Sequence, residues 1–112
     1  MSFSEKEIEE LKKIAPDLST AQEGSHSYIL VRNYKLPEGC IPVVTDLLLC
    51  PTPRDGYQSR LFFPQKISGC PPRNWNTQIR VLERSWWAFS WQTAAGYRLA
   101  EMFIVHINAL RK

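Results

Sequence analysis

The stretch "YILVRNYKLPEGCIPVVTDLLLCP", residues 28–51, decides the fold. Its first part, "YILVRNY" (28–34), is β-branched and aromatic and predicts a strand. "LPEGCIP" (36–42), with two prolines and a glycine, predicts a turn. "VVTDLLLC" (43–50) is a near-continuous apolar run, which suits a strand covered on both faces. Further on, "PTPRDGYQ" (51–58) interrupts the run with two prolines and an Asp-Gly turn, and "RLFF" (60–63) reads as a third short strand ended by Pro64. Three strands joined by short turns predict an antiparallel meander.

Upstream, Ser4 and Glu7 form an S-x-x-E capping box ahead of an apolar series, with Phe3 and Ile8 spaced as a hydrophobic staple. Ile8, Leu11 and Ile14 repeat at helical spacing and give one narrow apolar face, and Pro16 stops the helix near Ala15. The opposite face, Glu5, Lys6, Glu9, Glu10, Lys12 and Lys13, is charged, as either a solvated or a partner-docking face. Residues 17–27 are polar, contain Gly24 and read as a loop.

Downstream, "PQKISGCPPRNWNTQ" (64–78) reads as irregular, because three prolines in a row of polar residues and glycine resist a regular element. Long connections of this kind in a small domain are often functional. "IRVLERSWWAFSWQ" (79–92) favours an extended chain, with Trp87, Phe89 and Trp91 alternating onto one side. The last segment predicts a helix capped by Thr93, its apolar stripe formed by Ala100, Phe103, Ile104, Ile107 and Leu110, with Arg111 and Lys112 at the negative end of its dipole. Gly96 weakens its first turn. Strands grouped together, with helices at the ends, predict an α+β fold, and 112 residues suit a single domain spanning 1–112.

Composition narrows the function classes. A net charge of +3 does not argue for nucleic acid, and no apolar run is long enough for a membrane helix. The charged N-terminus is no secretory signal, and three cysteines, Cys40, Cys50 and Cys70, read as reduced thiols in a cytoplasm. None forms a CxxC pair, and with only His26 and His106 to add, neither a metal site nor a cofactor is expected. No P-loop, GxGxxG, HExxH or GxSxG motif is present. Both histidines read as structural.

Trp75, Trp86, Trp87 and Trp91 could form a stacking platform for single-stranded nucleic acid. Few basic residues interleave with them, so the favoured expectation is that they fill space between sheet and last helix. Cys50, ending an apolar strand, reads as buried and inert; Cys40, after Gly39, reads as exposed. Cys70 lies in the irregular loop, followed by two prolines, and is either an accessible nucleophile or a small apolar residue in a turn.

Three motifs in order carry a resemblance. "YKLPEGCIPVVTDLLLCP", "GYQSRLFFP" and "RSWWAFSWQ" resemble the Leu-Pro-Gly and "DLLL" strand, the Gly-Tyr-Pro turn with its aromatic strand, and the Arg-x-Trp-Gln-Arg-Phe-Ser-Trp-His segment of a bacterial family. That family is the ubiquitin-conjugating enzyme-like proteins called prokaryotic family E, and the likeness covers roughly residues 28–112. It implies a UBC-like fold: N-terminal helix, antiparallel meander, active-site loop, and a C-terminal helix packed on the sheet. It also implies a thioester relay, in which a cysteine accepts a ubiquitin-like protein from an activating enzyme and transfers it to an amine. The setting it implies is a conjugation operon of the antiphage type that also encodes a JAB-type metallopeptidase. The first helix, Glu5–Ala15, would meet the activating enzyme. Cys70 stands where that fold has its nucleophile, with Asn74 and Asn76 the nearest candidates for an oxyanion donor. Three departures stand out: the His-Pro-Asn tripeptide is missing, the family's histidine is Gln92, and the Gly-Tyr-Pro turn is Gly56-Tyr57-Gln58. They open a second expectation, a catalytically silent UBC-fold module that binds a ubiquitin-like protein or its activating enzyme.

Overall fold

In a computed structural model, which describes residues 4–71 and 73–111, the chain orders as α1 (Glu5–Lys12), β1 (Leu18–Glu23), β2 (His26–Lys35), β3 (Val44–Cys50), β4 (Arg60–Phe62), β5 (Trp75–Val81), β6 (Arg84–Phe89) and α2 (Leu99–Asn108). The first four strands form an antiparallel sheet in sequence order, and β5 and β6 form a separate hairpin. The hairpin meets the sheet where Phe63, just past β4, exchanges two backbone hydrogen bonds of 2.7 Å with Trp87. The fold is therefore α+β, with a Cα radius of gyration of 13.0 Å, as a folded chain of this length should have.

β3 explains the layering. Its side chains alternate: Leu47 and Leu49 join the core beneath the helices, whereas Leu48 and Cys50 join a second core under the β5–β6 hairpin. The unbroken apolar run at 47–50 is thus required by two covered faces. The helix-side core adds Leu11, Ile29, Val31, Phe63, Phe103 and Ile107. The hairpin-side core is built on Trp86, Phe62 and Tyr28, and the Trp86 indole N–H donates to Val81 O at 3.0 Å.

The α1 cap forms as its sequence predicts: Glu7 N–H donates to Ser4 Oγ at 3.2 Å. The Phe3 end of the staple lies outside the described residues, as does Lys112 at the other terminus. The helical span is shorter than Glu5–Ala15, closing at Lys12 with a turn in which Lys13 and Ile14 bond back to Glu10 and Leu11. Ile14 then faces outward, 37% exposed, so Leu11 is the residue that α1 buries fully.

Three expectations need correction. Residues 17–27 are not a loop: β1 pairs with β2 from Leu18↔Val31 to Glu23↔His26 around a turn at Gly24 (φ 62°). β1 is polar because it is an edge strand, half-buried on one side, so it lacks an apolar alternation. Residues 64–78 are irregular only to Asn74, since β5 begins at Trp75. Thr93 does not cap the last helix. It is buried against Ser59, and the helix begins after Arg98, whose N–H donates to Glu101 Oε1 at 3.0 Å. Arg98 also makes a two-point pair with Glu10, at 2.8 and 3.1 Å, which ties α2 to α1 and holds the Glu10 carboxyl below its ordinary value.

The tryptophans do more than fill space between sheet and last helix. Trp86 is fully buried on the opposite face of the sheet. Trp75 packs edge-on against Phe63 and Phe89, at 5.4 and 5.0 Å, on the helix side. Among the described residues, no helix is long and apolar enough to cross a membrane.

Candidate functional site

The segment carrying Cys70 is held at three points. Ser68 exchanges backbone hydrogen bonds with Ile41 at 2.8 and 3.0 Å, Ile67 is buried in the helix-side core, and Arg73 Nε donates to Ala109 O at 2.8 Å while its guanidinium lies 4.8 Å from the Trp91 ring centre. Between the anchors, Gly69 adopts φ 77° and passes so close to Gly39 that a Cβ there would lie 2.0 Å from the Gly39 carbonyl oxygen. Only glycine satisfies both the left-handed backbone and that approach. Gly69→Ala should therefore destabilise the protein by about 1–3 kcal/mol. The check is a urea titration followed by tryptophan fluorescence; a midpoint matching the wild type would mean that the two segments separate at no cost.

Cys70 is half-buried, packs against the helix-side core and directs its thiol to Ile67 O at 3.8 Å. Asn74 and Asn76 are committed elsewhere. Their side-chain amides both donate to Ser90 Oγ, at 3.2 and 2.8 Å, and Asn76 also donates to the Tyr57 hydroxyl at 3.3 Å. The Asn76 carbonyl accepts from Arg60 at 2.9 Å. These groups form a polar cluster at the start of the hairpin. The hydrogen bond that the Tyr57 hydroxyl makes with Ser90, at 3.0 Å, and then the one from Asn76 hold the Tyr57 phenol below its ordinary value. Gln92 sits at the edge of this cluster, accepting from Gln58 N–H at 2.9 Å and donating to Gly56 O at 3.0 Å, so it clamps the Gly56-Tyr57-Gln58 turn.

The other thiols are placed differently from one another. Cys40 is buried, not exposed, and its thiol points at Leu110 O at 3.9 Å, because the turn at 36–42 folds against the end of α2. A cleft of about 590 Å³, lined in part by Cys40, Leu36, Gly39 and Ile107, runs beside it. Cys50 is fully buried on the hairpin side, as expected, but it has a partner that the sequence did not reveal: His26 Nδ1 lies 3.8 Å from its sulfur. His26 and Cys50 stand 24 residues apart and meet through β2–β3 pairing, so no motif spacing announces them. Nearby, Arg54 hydrogen-bonds the Tyr28 hydroxyl and lies 5.9 Å from the centre of the Tyr28 ring.

His106 is buried on α2, where its Nε2 lies 2.9 Å from Ser59 Oγ, itself 2.7 Å from Thr93 Oγ1. Burial first, and the Arg60 cation second, push its pKa down to about 4, so the ring is neutral and structural at physiological pH. Among the described residues, no group of three or more His, Cys, Asp or Glu side chains could hold a metal ion. Comparison with known protein families, curated protein sequences and solved structures found no match to this chain.

Proposed function

We propose that this chain is a UBC-fold carrier that holds a ubiquitin-like protein as a thioester on Cys70 and passes it to an amine. The observation that carries the reading is the setting of Cys70: a partly buried cysteine on a segment fixed at Ser68 and Arg73, between β4 and the tryptophan hairpin. A nucleophile needs access and a fixed position; the segment supplies the fixed position, and Cys70 is the least buried of the three cysteines. The Cys70 thiolate attacks the carbonyl carbon of the thioester on the activating enzyme, the enzyme's C–S bond breaks, and its thiolate leaves. An amine then attacks the new thioester, Cys70 departs as the thiolate, and the amine's proton passes to solvent.

The order of elements supports the fold half of the reading in part: a first helix, a four-stranded antiparallel meander, a loop and a last helix against the sheet, with the β5–β6 hairpin inserted between loop and last helix. A further support comes from two of the departures noted in the sequence. Gln92 and Gln58 are bonded to each other, and the Gln58 N–H that Gln92 accepts is a group that proline lacks. The two changes therefore compensate one another, and the turn that a proline would stiffen is held by a side chain. The partners of this reading are a ubiquitin-like protein, an activating enzyme meeting the exposed charged face of α1, and a JAB-type metallopeptidase encoded alongside, in an antiphage-type system in the cytoplasm.

One observation favours the silent module instead. The Asn74 and Asn76 amides are both engaged by Ser90, and no base contacts the Cys70 thiol among its described hydrogen bonds. A single reaction separates the two readings: charging with the activating enzyme and ubiquitin-like protein of the same operon. A reductant-labile adduct that disappears in Cys70→Ser supports the carrier. An adduct that survives Cys70→Ser removes that residue from the role. Tight binding with no adduct at any cysteine makes the protein an adaptor.

A further inference from the structure

The three thiols allow three intramolecular pairings, and the fold leaves one. The sheet divides them. Cys50 lies in the hairpin-side core, while Cys40 belongs to the helix-side core and Cys70 packs against it. The segments that carry Cys40 and Cys70 also run side by side. Ile41 and Ser68 form an antiparallel bridge with both backbone hydrogen bonds made, which sets Cys40 opposite Gly69, the residue before Cys70. Opposed residues in an antiparallel pair have Cα atoms roughly 4.5–5.5 Å apart. Beyond the bridge, the backbones stay in contact, since the carbonyl of Gly39 abuts Gly69. The left-handed backbone of Gly69 (φ 77°) breaks the strict alternation, so Cys70 need not face away from Cys40. Cys70 is one residue past that opposed position, so the two cysteines lie on adjoining backbone segments on one side of the sheet, and a disulfide between them requires Cα atoms about 4.4–6.8 Å apart.

We propose that Cys40 and Cys70 form a reversible disulfide, a modification site that fastens the 36–42 turn to the 64–74 segment. Cys70, less buried than Cys40, meets the oxidant first. With a disulfide oxidant such as oxidised glutathione, the Cys70 thiolate attacks one sulfur, the glutathione S–S bond breaks, and one glutathione leaves as a thiolate and takes up a proton. The Cys40 thiolate then attacks the Cys70 sulfur of the mixed disulfide and expels the second glutathione. The two cysteines give up two electrons and two protons, and the oxidant becomes two thiols. The pairing itself does not depend on the thioester reading. On that reading it has a consequence, because a Cys70 tied to Cys40 has no thiolate to charge.

The test uses the intact wild-type protein. After incubation with oxidised glutathione, remaining thiols are alkylated in denaturant and the chain is digested. Trypsin leaves Cys40 and Cys50 on one peptide, residues 36–54, so a second cleavage before Asp46 is needed to separate them. The expected result is a peptide containing Cys40 linked to "ISGCPPR" (67–73), with Cys50 alkylated and the linkage lost on reduction. The Cys50→Ser protein should give the same linked peptide. A linkage that includes Cys50, a Cys70–Cys70 dimer on a non-reducing gel, or full alkylation of Cys40 and Cys70 after oxidation overturns the proposal. Failure of the charging reaction would leave the linked peptide unaffected, so the two ideas fail separately.

Discussion

Arg60→Ala should lower the unfolding free energy by about 3–5 kcal/mol, the largest loss expected of any single side chain outside the apolar cores. Arg60 opens β4 and is 2% exposed, an unusual burial for a permanent cation. Its guanidinium spends its donors on the hairpin: Thr77 Oγ1 at 2.9 Å, Asn76 Oδ1 at 2.9 Å and the Phe89 carbonyl at 3.1 Å. It also lies 4.2 Å from the centre of the Tyr57 ring, while a half-exposed Asp55 carboxylate at 3.8 Å partly balances its charge. The ladder between sheet and hairpin consists of the Phe63–Trp87 bridge, and Arg60 adds a buried side-chain fastening to the exposed ones made by Arg84 with Asp46 and by Leu82 N–H with Glu23. Truncation strands the Phe89 carbonyl in a dry site, whereas exposed Asn76 can turn to water. Arg60→Lys should recover only part of the loss, because one ammonium on a flexible stem cannot reach three acceptors held for a planar fork. Urea unfolding with an unchanged m-value is the measurement. An Arg60→Ala protein within 1 kcal/mol of the wild type, on the scale set by ordinary surface changes, would show that the hairpin is held without the buried guanidinium.

Arg60 also illustrates what was legible in the sequence. "RLFF" reads correctly as a strand, yet nothing in it says that the arginine points inward. That depends on two acceptors in β5 and one at the end of β6, which join it only in three dimensions. The meander was legible because β2, β3 and β4 are buried, and burial leaves short apolar or β-branched runs bounded by turn residues in the sequence. β1 was not, because an edge strand draws its order from β2's hydrogen bonds and needs no apolar pattern of its own. The hairpin was half legible. Its extended character follows from the aromatics, but its turn is Leu82-Glu83, both with positive φ, 52° and 64°, and neither residue carries the Asn-Gly signature of such turns. Glu23 Oε1 accepts the Leu82 N–H at 3.2 Å, so a side chain from β1 supports a turn that local propensity would not choose.

The same division runs through the site. Cys70 in an irregular, proline-rich segment was legible, because proline and glycine mark such segments directly. The exposure of the thiols was not. A cysteine next to a glycine in a turn reads as exposed, but the 36–42 turn folds onto the end of α2 and buries Cys40 at 2%. The direction of the Asn74 and Asn76 amides was not legible either, since it is set by Ser90, just past the end of β6.

Stability should fall as pH drops from 6.5 toward 4, by about 3 kcal/mol in total, and His106 should be the cause. In the folded protein its pKa is pushed down to about 4, while the unfolded chain keeps the ordinary value near 6.5. Above pH 6.5 the ring is neutral in both states and contributes no pH dependence. As the pH falls through 6.5, the unfolded chain takes up a proton that the folded protein refuses, so the equilibrium moves toward unfolding at about 1.4 kcal/mol per pH unit. Near pH 4 the folded ring protonates as well and the slope ends. The refusal has a structural reason. Nε2 faces the Ser59 hydroxyl, and Thr93 lies behind Ser59, so a neutral ring protonated on Nδ1 can accept from Ser59 while Ser59 accepts from Thr93. Protonation reverses the first of these bonds inside a site with no carboxylate among its described hydrogen-bond partners and with the Arg60 cation near enough to oppose it. Asp46 and Glu10, whose pKa values are lowered by Arg84 and Arg98, contribute stability that is present above their unfolded values and is lost as pH falls through their lower folded ones. Their share therefore belongs chiefly below pH 4.5, at the acid edge of the His106 window. Urea unfolding of wild type and His106→Gln at half-unit steps from about pH 7.5 to 4.5 isolates the effect. Glutamine keeps a polar atom near Ser59 but cannot titrate, so the variant should start less stable and then lose little between 6.5 and 4.5. Parallel curves for the two proteins would assign the acid sensitivity to another group. Arg60→Ala supplies an independent check: with the opposing cation gone, the folded pKa of His106 rises toward its ordinary value and the slope below pH 6.5 should end at a higher pH.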